Sequence, residues 1–341
     1  MSLMALRLIT NPSILTHTSS LRLHHCSPLP LSPKKPSTTI APATSSMATT
    51  ERIPIVIDSH LHVWAAPQEA AQKYPYFPGQ EPTLPGNVDL LIECMEEAGV
   101  DGALIVQPIN HKFDHSYVTS VIRKYPAKFI GCCLANPAND GSGVGELERL
   151  ILKDGYRAVR FNPYLWPSDE KMTNEIGRSM FSKAGELGVP VGFMCMKGLN
   201  LHISEIEQLL TDYPSTTVLL DHLAFCKPPV NEEDHHILSS LLNLSRFPQV
   251  YVKFSALFRV SRQPPPYLDL SDLLSQVVSN FGAHRVMWGS DFPFVLSECG
   301  YKGGKEAVEQ IANQISLSQS EKEWIMGKTM ARLFKSPWHE A

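Results

Sequence analysis

A chain of 341 residues, 43% hydrophobic and 19% charged, is long enough for one large globular core or two small ones. Its formal net charge of −4 and pI near 6.4 carry no electrostatic footprint for nucleic acid. No apolar run approaches the roughly 18 residues of a membrane span, and the seven cysteines include no CxxC pair, so neither a zinc-finger frame nor a disulfide scaffold is indicated.

In chain order the first segment stands apart. Residues 1–50 contain nine Ser, eight Thr and six Pro, no Asp or Glu, and positive charge only at Arg7, Arg22, Lys34 and Lys35. A Ser-rich, acid-free, mildly basic stretch is the composition of an organelle transit peptide, with a disordered cytoplasmic tail as the alternative. The excess of Ser and Thr over Arg favours the chloroplast stroma over the mitochondrion. Residues 51–341 are expected to form one domain.

From Pro54 onward, short apolar runs alternate with longer amphipathic ones. The predicted strands are Ile55–Ser59, Gly102–Gln107, Phe129–Leu134, Tyr156–Phe161, Val189–Met194, Thr216–Asp221, Gln249–Ser255 and Arg285–Gly289. The predicted helices are Val88–Ala98, Ser116–Tyr125, Val144–Lys153, Thr173–Gly185, Ile203–Asp212, Asp234–Phe247 and Leu270–Phe281, with Lys305–Ile315 and Glu321–Phe334 closing the chain. Short, nearly continuous apolar strands are the pattern of parallel strands buried on both faces. Eight strand–helix units imply an α/β chain closed into a single (β/α)8 TIM barrel. An open doubly wound sheet would normally carry a Gly-rich first turn, and here the first strand ends in Ser59-His60-Leu61-His62.

Catalytic groups in such a barrel sit at the carboxyl ends of the strands. Those ends supply Asp58, His60 and His62; Gln107, then Asn110 and His111; Arg160 and Asn162; Met194, Cys195 and Met196; Asp221 and His222; Lys253 and Ser255; and Ser290 and Asp291. His60 and His62 are two apart, so both face the same way and can bind a divalent metal or orient a substrate oxygen. An HxH pair alone is weak evidence; at the end of the first strand of a barrel it weighs more. Asp291 is placed to take a proton from an attacking water, or else to cap the turn at Phe292-Pro293. Asp221 and His222 are adjacent, so one is expected to face inward and the other outward. The planar fork of Arg160 suits a substrate carboxylate, or balances a carboxylate of the barrel. Lys253 shares parity with Ser255. If Ser255 faces the pocket, Lys253 points into the barrel and needs an anion, for which strand parity nominates Asp58.

On the motifs Asp58-Ser59-His60-Leu61-His62-Val63-Trp64, Tyr156-Arg157-Ala158-Val159-Arg160-Phe161, Leu219-Leu220-Asp221-His222-Leu223-Ala224, Val252-Lys253-Phe254-Ser255-Ala256-Leu257 and Trp288-Gly289-Ser290-Asp291-Phe292-Pro293, the sequence resembles the amidohydrolase-related (amidohydrolase 2) family. Within it, the chain is similar to the branch of sugar lactonases and 2-pyrone-4,6-dicarboxylate lactonase, over roughly residues 54 to 336. The resemblance implies that His60 and His62 are the strand-one HxH and that Asp291 is the strand-eight carboxylate, the general base of lactone hydrolysis. It implies that His222 polarises or positions the substrate carbonyl. Decarboxylases of the family hold zinc with the HxH pair, a strand-five His and the strand-eight Asp. Strand five here, Val189 to Lys197, has no histidine, and the next, His202, lies past the strand. His60, His62 and Asp291 remain as a three-ligand set, with Cys195 a less favoured fourth, and metal use stays open.

The expected activity is hydrolysis of a lactone or related cyclic ester, carboxylated or hydroxylated. Asp291, His222, His60 and His62 are the expected catalytic residues, and Arg160, Gln107, His111 and Ser255 the expected substrate-binding residues. The rival readings are a zinc-dependent decarboxylase of the same family and a barrel that binds small molecules without catalysis.

Overall fold

The computed structural model describes residues 54–338; the expected transit segment, residues 1–50, lies outside the described residues. The apolar runs become eight parallel strands in chain order: β1 (Ile57–Leu61), β2 (Gly102–Val106), β3 (Phe129–Leu134), β4 (Tyr156–Phe161), β5 (Val191–Phe193), β6 (Val218–Leu220), β7 (Val250–Ser255) and β8 (Val286–Gly289). β8 returns to β1 just past the strand ends. There the Asp291 amide donates to the His60 carbonyl at 2.8 Å and the His62 amide donates to the Phe292 carbonyl at 2.7 Å. The architecture is the (β/α)8 barrel that the alternation implies.

Helices over Val88–Ala98, Ser116–Lys124, Ser142–Asp154, Glu175–Glu186, Ile203–Asp212, Glu232–Asn243, Ser271–Phe281 and Tyr301–Gln314 form the outer layer. Each buries one stripe, such as Leu91, Met95 and Ala98 in the first. Asn174 and Asn231 cap two of them by accepting from the Gly177 and Asp234 amides.

Strand alternation sorts the apolar side chains into two cores. One lies between strands and helices. The other gathers Ile57, Leu104, Ile130, Ala158, Leu219 and Met287 with Met330, Phe334 and Trp338 from the end of the chain. Trp338 lies so close to Gly102 that no Cβ would fit there, which seals the amino-terminal end of the barrel. The buried histidines and carboxylates of the strand ends gather instead at the carboxyl-terminal mouth.

Three expectations change. The first strand runs Ile57–Leu61 rather than Ile55–Ser59, because the Val56 amide is spent on the Asp101 carboxylate at 2.8 Å. Its register shifts between Asp58 and Leu61, so parity is broken where the sequence argument used it. Asp58 therefore does not meet Lys253. Its carboxylate instead accepts from the His60 amide (2.9 Å), the Ser290 amide (3.0 Å) and the Tyr301 hydroxyl (3.0 Å), clasping β1 to β8 and the last barrel helix. Burial pushes this carboxyl up to about 6. The last helix, expected over Glu321–Phe334, is broken by a π-turn at Trp324–Lys328, where Gly327 abuts the Ile55 carbonyl.

His115 ties the second βα loop to β3. Its ring nitrogens meet the Phe113 carbonyl at 2.9 Å and the Leu134 amide at 3.1 Å. Burial lowers its pKa to about 4 from 6.5. The unfolded chain thus binds this proton first as pH falls, and stability is lost between pH 6.5 and 4, on the order of 3 kcal/mol for this group. Denaturant titrations of His115→Gln should show lower stability at neutral pH but a shallower fall across that window. An equally steep fall would assign the acid sensitivity to other groups.

Candidate active site

At the mouth, β1 delivers His60 and His62 with their rings 5.1 Å apart. His62 Nδ1 lies 2.8 Å from the Val106 carbonyl, which only accepts, so Nδ1 carries the hydrogen. His62 Nε2 is thereby turned toward Asp291 Oδ1, 3.5 Å away. His60 Nδ1 lies 3.2 Å from Asp221 Oδ1, and its buried Nε2 has no hydrogen-bond partner among the described residues. That orphaned atom sits 3.8 Å from the same Asp291 oxygen.

Asp221 is the hub beneath them. Lys253 Nζ reaches its Oδ1 at 2.9 Å, and Arg160 Nε reaches Oδ2 at 3.0 Å. Lys253, fully buried on β7, thus finds its anion at the end of β6. Burial works to raise the Asp221 pKa, and Lys253, His60 and Arg160 outweigh it and hold the carboxyl well below its usual range. Burial likewise pushes His60 far below the usual histidine value, so its ring is neutral. On β5 the inward residue beside this hub is Gly192, where a Cβ would lie 3.9 Å from Asp221 Oδ1.

Asp221 and His222 do not face opposite sides. β6 stops at Leu220, and His222, Leu223, Ala224 and Phe225 all have φ between 52° and 61°. Four non-glycine residues in the left-handed region are strained, by about 1–2 kcal/mol each. The turn swings His222 back into the mouth. There its Nδ1 lies 2.7 Å from Ser255 Oγ and its Nε2 lies 3.9 Å from Asp291 Oδ1. Burial lowers its pKa to about 4, so it is neutral at pH 7.

Asp291, also at positive φ (62°), completes the group. Gly289 lets β8 approach: a Cβ there would come within 2.9 Å of the His60 nitrogen. Oδ1 faces the three histidines, while Oδ2 accepts from Arg259 Nε at 2.6 Å. Burial opposes ionisation, but His222, His62 and Arg259 hold the carboxyl well below its usual range. With His222 neutral at pH 7, the charge that keeps Asp291 ionised there is that of Arg259.

Above this floor opens a cavity of about 370 Å³ whose lining includes His62, Arg160, His222, Arg259 and Asp291. A larger groove between Lys73 and Asp154 lies elsewhere, and its arginines are paired with Glu146 and Asp154. Five of the sequence candidates therefore converge: His60, His62, Arg160, His222 and Asp291. Ser255 stands behind His222 rather than on the cavity wall. Gln107 and His111 are not brought to the cavity. Gln107 Nε2 donates to the Lys112 and Asp114 carbonyls at 3.1 and 2.8 Å. His111 bonds the Pro75 carbonyl and the Ala65 amide at 3.0 and 3.2 Å, and stacks on Tyr117. The residue that sequence reasoning missed is Arg259. It lies just past Phe258 in a four-residue helix, Leu257–Val260, that no periodicity announces.

The profile of the family described as amidohydrolase matches residues 57–335. The chain belongs to the amidohydrolase family. It is 26% identical over 247 residues to 4-sulfomuconolactone hydrolase from Hydrogenophaga intermedia, covering 69% of this chain and 74% of that one. It is similar in fold to a probable 2-pyrone-4,6-dicarboxylic acid hydrolase from Acinetobacter baumannii, crystallised with citric acid (TM-score 0.67, 19% identity, 82% of this chain and 99% of that one). It is likewise similar in fold to an amidohydrolase from Burkholderia multivorans with bound zinc (TM-score 0.64, 19% identity, 83% of this chain and 100% of that one).

His60, His62 and Asp291 offer ligand atoms that all lie within 4.8 Å of one another, a group that can hold a divalent ion. The fit goes beyond spacing. The orphaned His60 Nε2 and the turned His62 Nε2 both face Asp291 Oδ1, at 3.8 and 3.5 Å, with His62 Nδ1 fixed by the Val106 carbonyl and His60 Nδ1 3.2 Å from both Asp221 Oδ1 and Lys253 Nζ.

Removing Lys253 would leave Asp221 buried with one cation fewer. Lys253→Met should destabilise the fold by about 3–5 kcal/mol in thermal or urea unfolding, with Lys253→Arg intermediate. An unchanged midpoint in Lys253→Met would contradict the hub.

Proposed function

We propose that this amidohydrolase opens a lactone or related cyclic ester by attack of water. The observation that carries this reading is the convergence of the ionised Asp291 Oδ1 with His60, His62 and His222 at the floor of a small-molecule cavity. The similarity to 4-sulfomuconolactone hydrolase supports the same reaction.

In this reading, Asp291 Oδ1 accepts a proton as the water oxygen bonds to the lactone carbonyl carbon. This reading takes the Ser255 hydroxyl, 2.7 Å from His222 Nδ1, as the donor of that bond, which leaves the proton on Nε2 to steady the developing oxyanion. The carbonyl reforms, the ring C–O bond breaks, and the proton on Asp291 passes to the departing alkoxide. Arg160 keeps Nε on Asp221 and presents its Nη atoms to a substrate carboxylate. Arg259, on Asp291 Oδ2, holds the base ionised and aims Oδ1 at the floor.

The ion we propose for His60, His62 and Asp291 is zinc, which suits two imidazoles and a carboxylate. When bound it supplies Lewis acidity and lowers the pKa of a coordinated water. The decarboxylase alternative is less supported, since β5 turns Gly192 rather than a histidine toward the hub. Residues 1–50 are proposed as a chloroplast address on their Ser- and Thr-rich, acid-free composition. A fluorescent fusion of that segment should enter plastids, and a diffuse cytosolic signal would refute this.

Asp291→Asn should lower lactone kcat by about 10²–10⁴ with an unchanged circular dichroism spectrum. Full activity in that variant would remove Asp291 from the mechanism. Chelator treatment should strip one metal per chain and abolish turnover, and zinc should restore it. Undiminished activity in metal-free protein would show that the ion is dispensable.

A further inference from the structure

The wall of the cavity has a chemistry different from its floor. Trp64, Ile109, Leu165, Met196, Phe225 and Phe294 line it. Ile109 is 40% exposed and Met196 52%, so both stand at the mouth rather than in a core. Scattered exposed apolar side chains are ordinary, but two that line one concave site form a surface for an apolar ligand to cover.

Several polar atoms of the same wall are already committed. Trp64 Nε1 donates to the Leu84 carbonyl at 3.0 Å, and Asn110 Nδ2 donates to the Gln80 carbonyl at 2.7 Å. Asn162 Oδ1 accepts from the Tyr164 amide at 3.1 Å, and the Tyr164 hydroxyl accepts from the Lys197 amide at 2.7 Å. These bonds brace the loops. A ring carrying several hydroxyls would surrender its water here and find few replacements.

The charges on the wall are cationic. Arg160 and Arg259 each spend Nε on a buried carboxylate, and among the described residues their Nη atoms make no hydrogen bond. The Lys197 ammonium lies 4.6 Å from the Tyr164 ring centroid at the same mouth. The cavity, about 370 Å³, is near the lower end of the range of about 300–1,000 Å³ for small-molecule sites, which limits the ligand to a ring and a modest substituent.

Resting on the lactone-hydrolase reading, we propose that the substrate is amphiphilic: a lactone with a carboxylate bound by Arg160 and an aryl or short alkyl body seated against Ile109, Met196, Phe225 and Phe294. Polyhydroxylated sugar lactones are the class this wall turns away.

The test is a comparison of kcat/KM, with the full-length protein, for three probes: a δ-lactone carrying both a carboxylate and a phenyl or butyl group, its methyl ester, and glucono-δ-lactone. The first should exceed glucono-δ-lactone by at least about a hundredfold and its own methyl ester by at least about tenfold. Met196→Asn and Ile109→Asn, both at exposed positions, should each reduce the apolar-to-sugar ratio by about tenfold. Turnover of glucono-δ-lactone equal to or above that of the apolar lactone would overturn the proposal and leave the hydrolase reading standing. An apolar-to-sugar ratio unmoved by both substitutions would do the same. No turnover of any probe, with a wider ester panel also silent, would defeat the hydrolase reading and this inference together.

Discussion

The structure depends on one buried carboxylate, Asp221. It sits where three strands would otherwise bring only cations and imidazole together: Arg160 from β4, Lys253 from β7 and His60 from β1 all converge on it. A buried anion without partners would be prohibitive, and a buried lysine without an anion equally so. Together they neutralise one another's charge and fix the direction of the His60 ring. The carbonyl of Val106 does the same for His62 from the neighbouring strand. Orientation of the cavity floor is therefore set from below, by groups buried beneath it.

The backbone around the floor is correspondingly irregular. β1 shifts register between Asp58 and Leu61, the chain after β6 makes a left-handed turn, and Asp291 adopts a positive φ directly after β8. Each departure turns a side chain toward the mouth that a regular strand would send elsewhere. Strain of this kind persists where surrounding contacts over-determine it, and here those contacts are the Asp58 clasp to Ser290 and Tyr301 and the close passage of Gly289 past His60. The amino-terminal end of the barrel, by contrast, is closed with apolar side chains, Trp338 among them.

The barrel was legible in the sequence because its strands are short and buried on both faces, and their spacing admits few other topologies. The run Phe129–Leu134 needs no revision, whereas the first strand moves by two residues. The site was legible where it lies at strand ends: His62, Arg160, His222 and Asp291 line one cavity, and His60 lies buried beside them. It was illegible where parity was asked to survive an irregular backbone. Asp58 was paired with Lys253 on parity, and the register shift in β1 sends it to Ser290 and Tyr301 instead. Asp221 and His222 were expected to diverge, and the left-handed turn makes both converge. Gln107 and His111 are polar residues of the right type in the right loop, but their hydrogen bonds fold that loop. Nothing local distinguishes such a residue from one that meets substrate. Arg259 escaped for the opposite reason, since it belongs to a loop helix rather than to a strand end.

The floor rests on the Val106 carbonyl holding His62 with hydrogen on Nδ1, so that its Nε2 presents a lone pair to Asp291. Long-range ¹H–¹⁵N correlation spectra of histidine-labelled, chelator-treated protein at neutral pH read this directly, with the His62 signals assigned by substitution. The His62 ring is expected in the Nδ1–H tautomer. An Nε2–H tautomer there would contradict this, because that nitrogen would then be a donor already turned on the carboxylate, with no lone pair left to present.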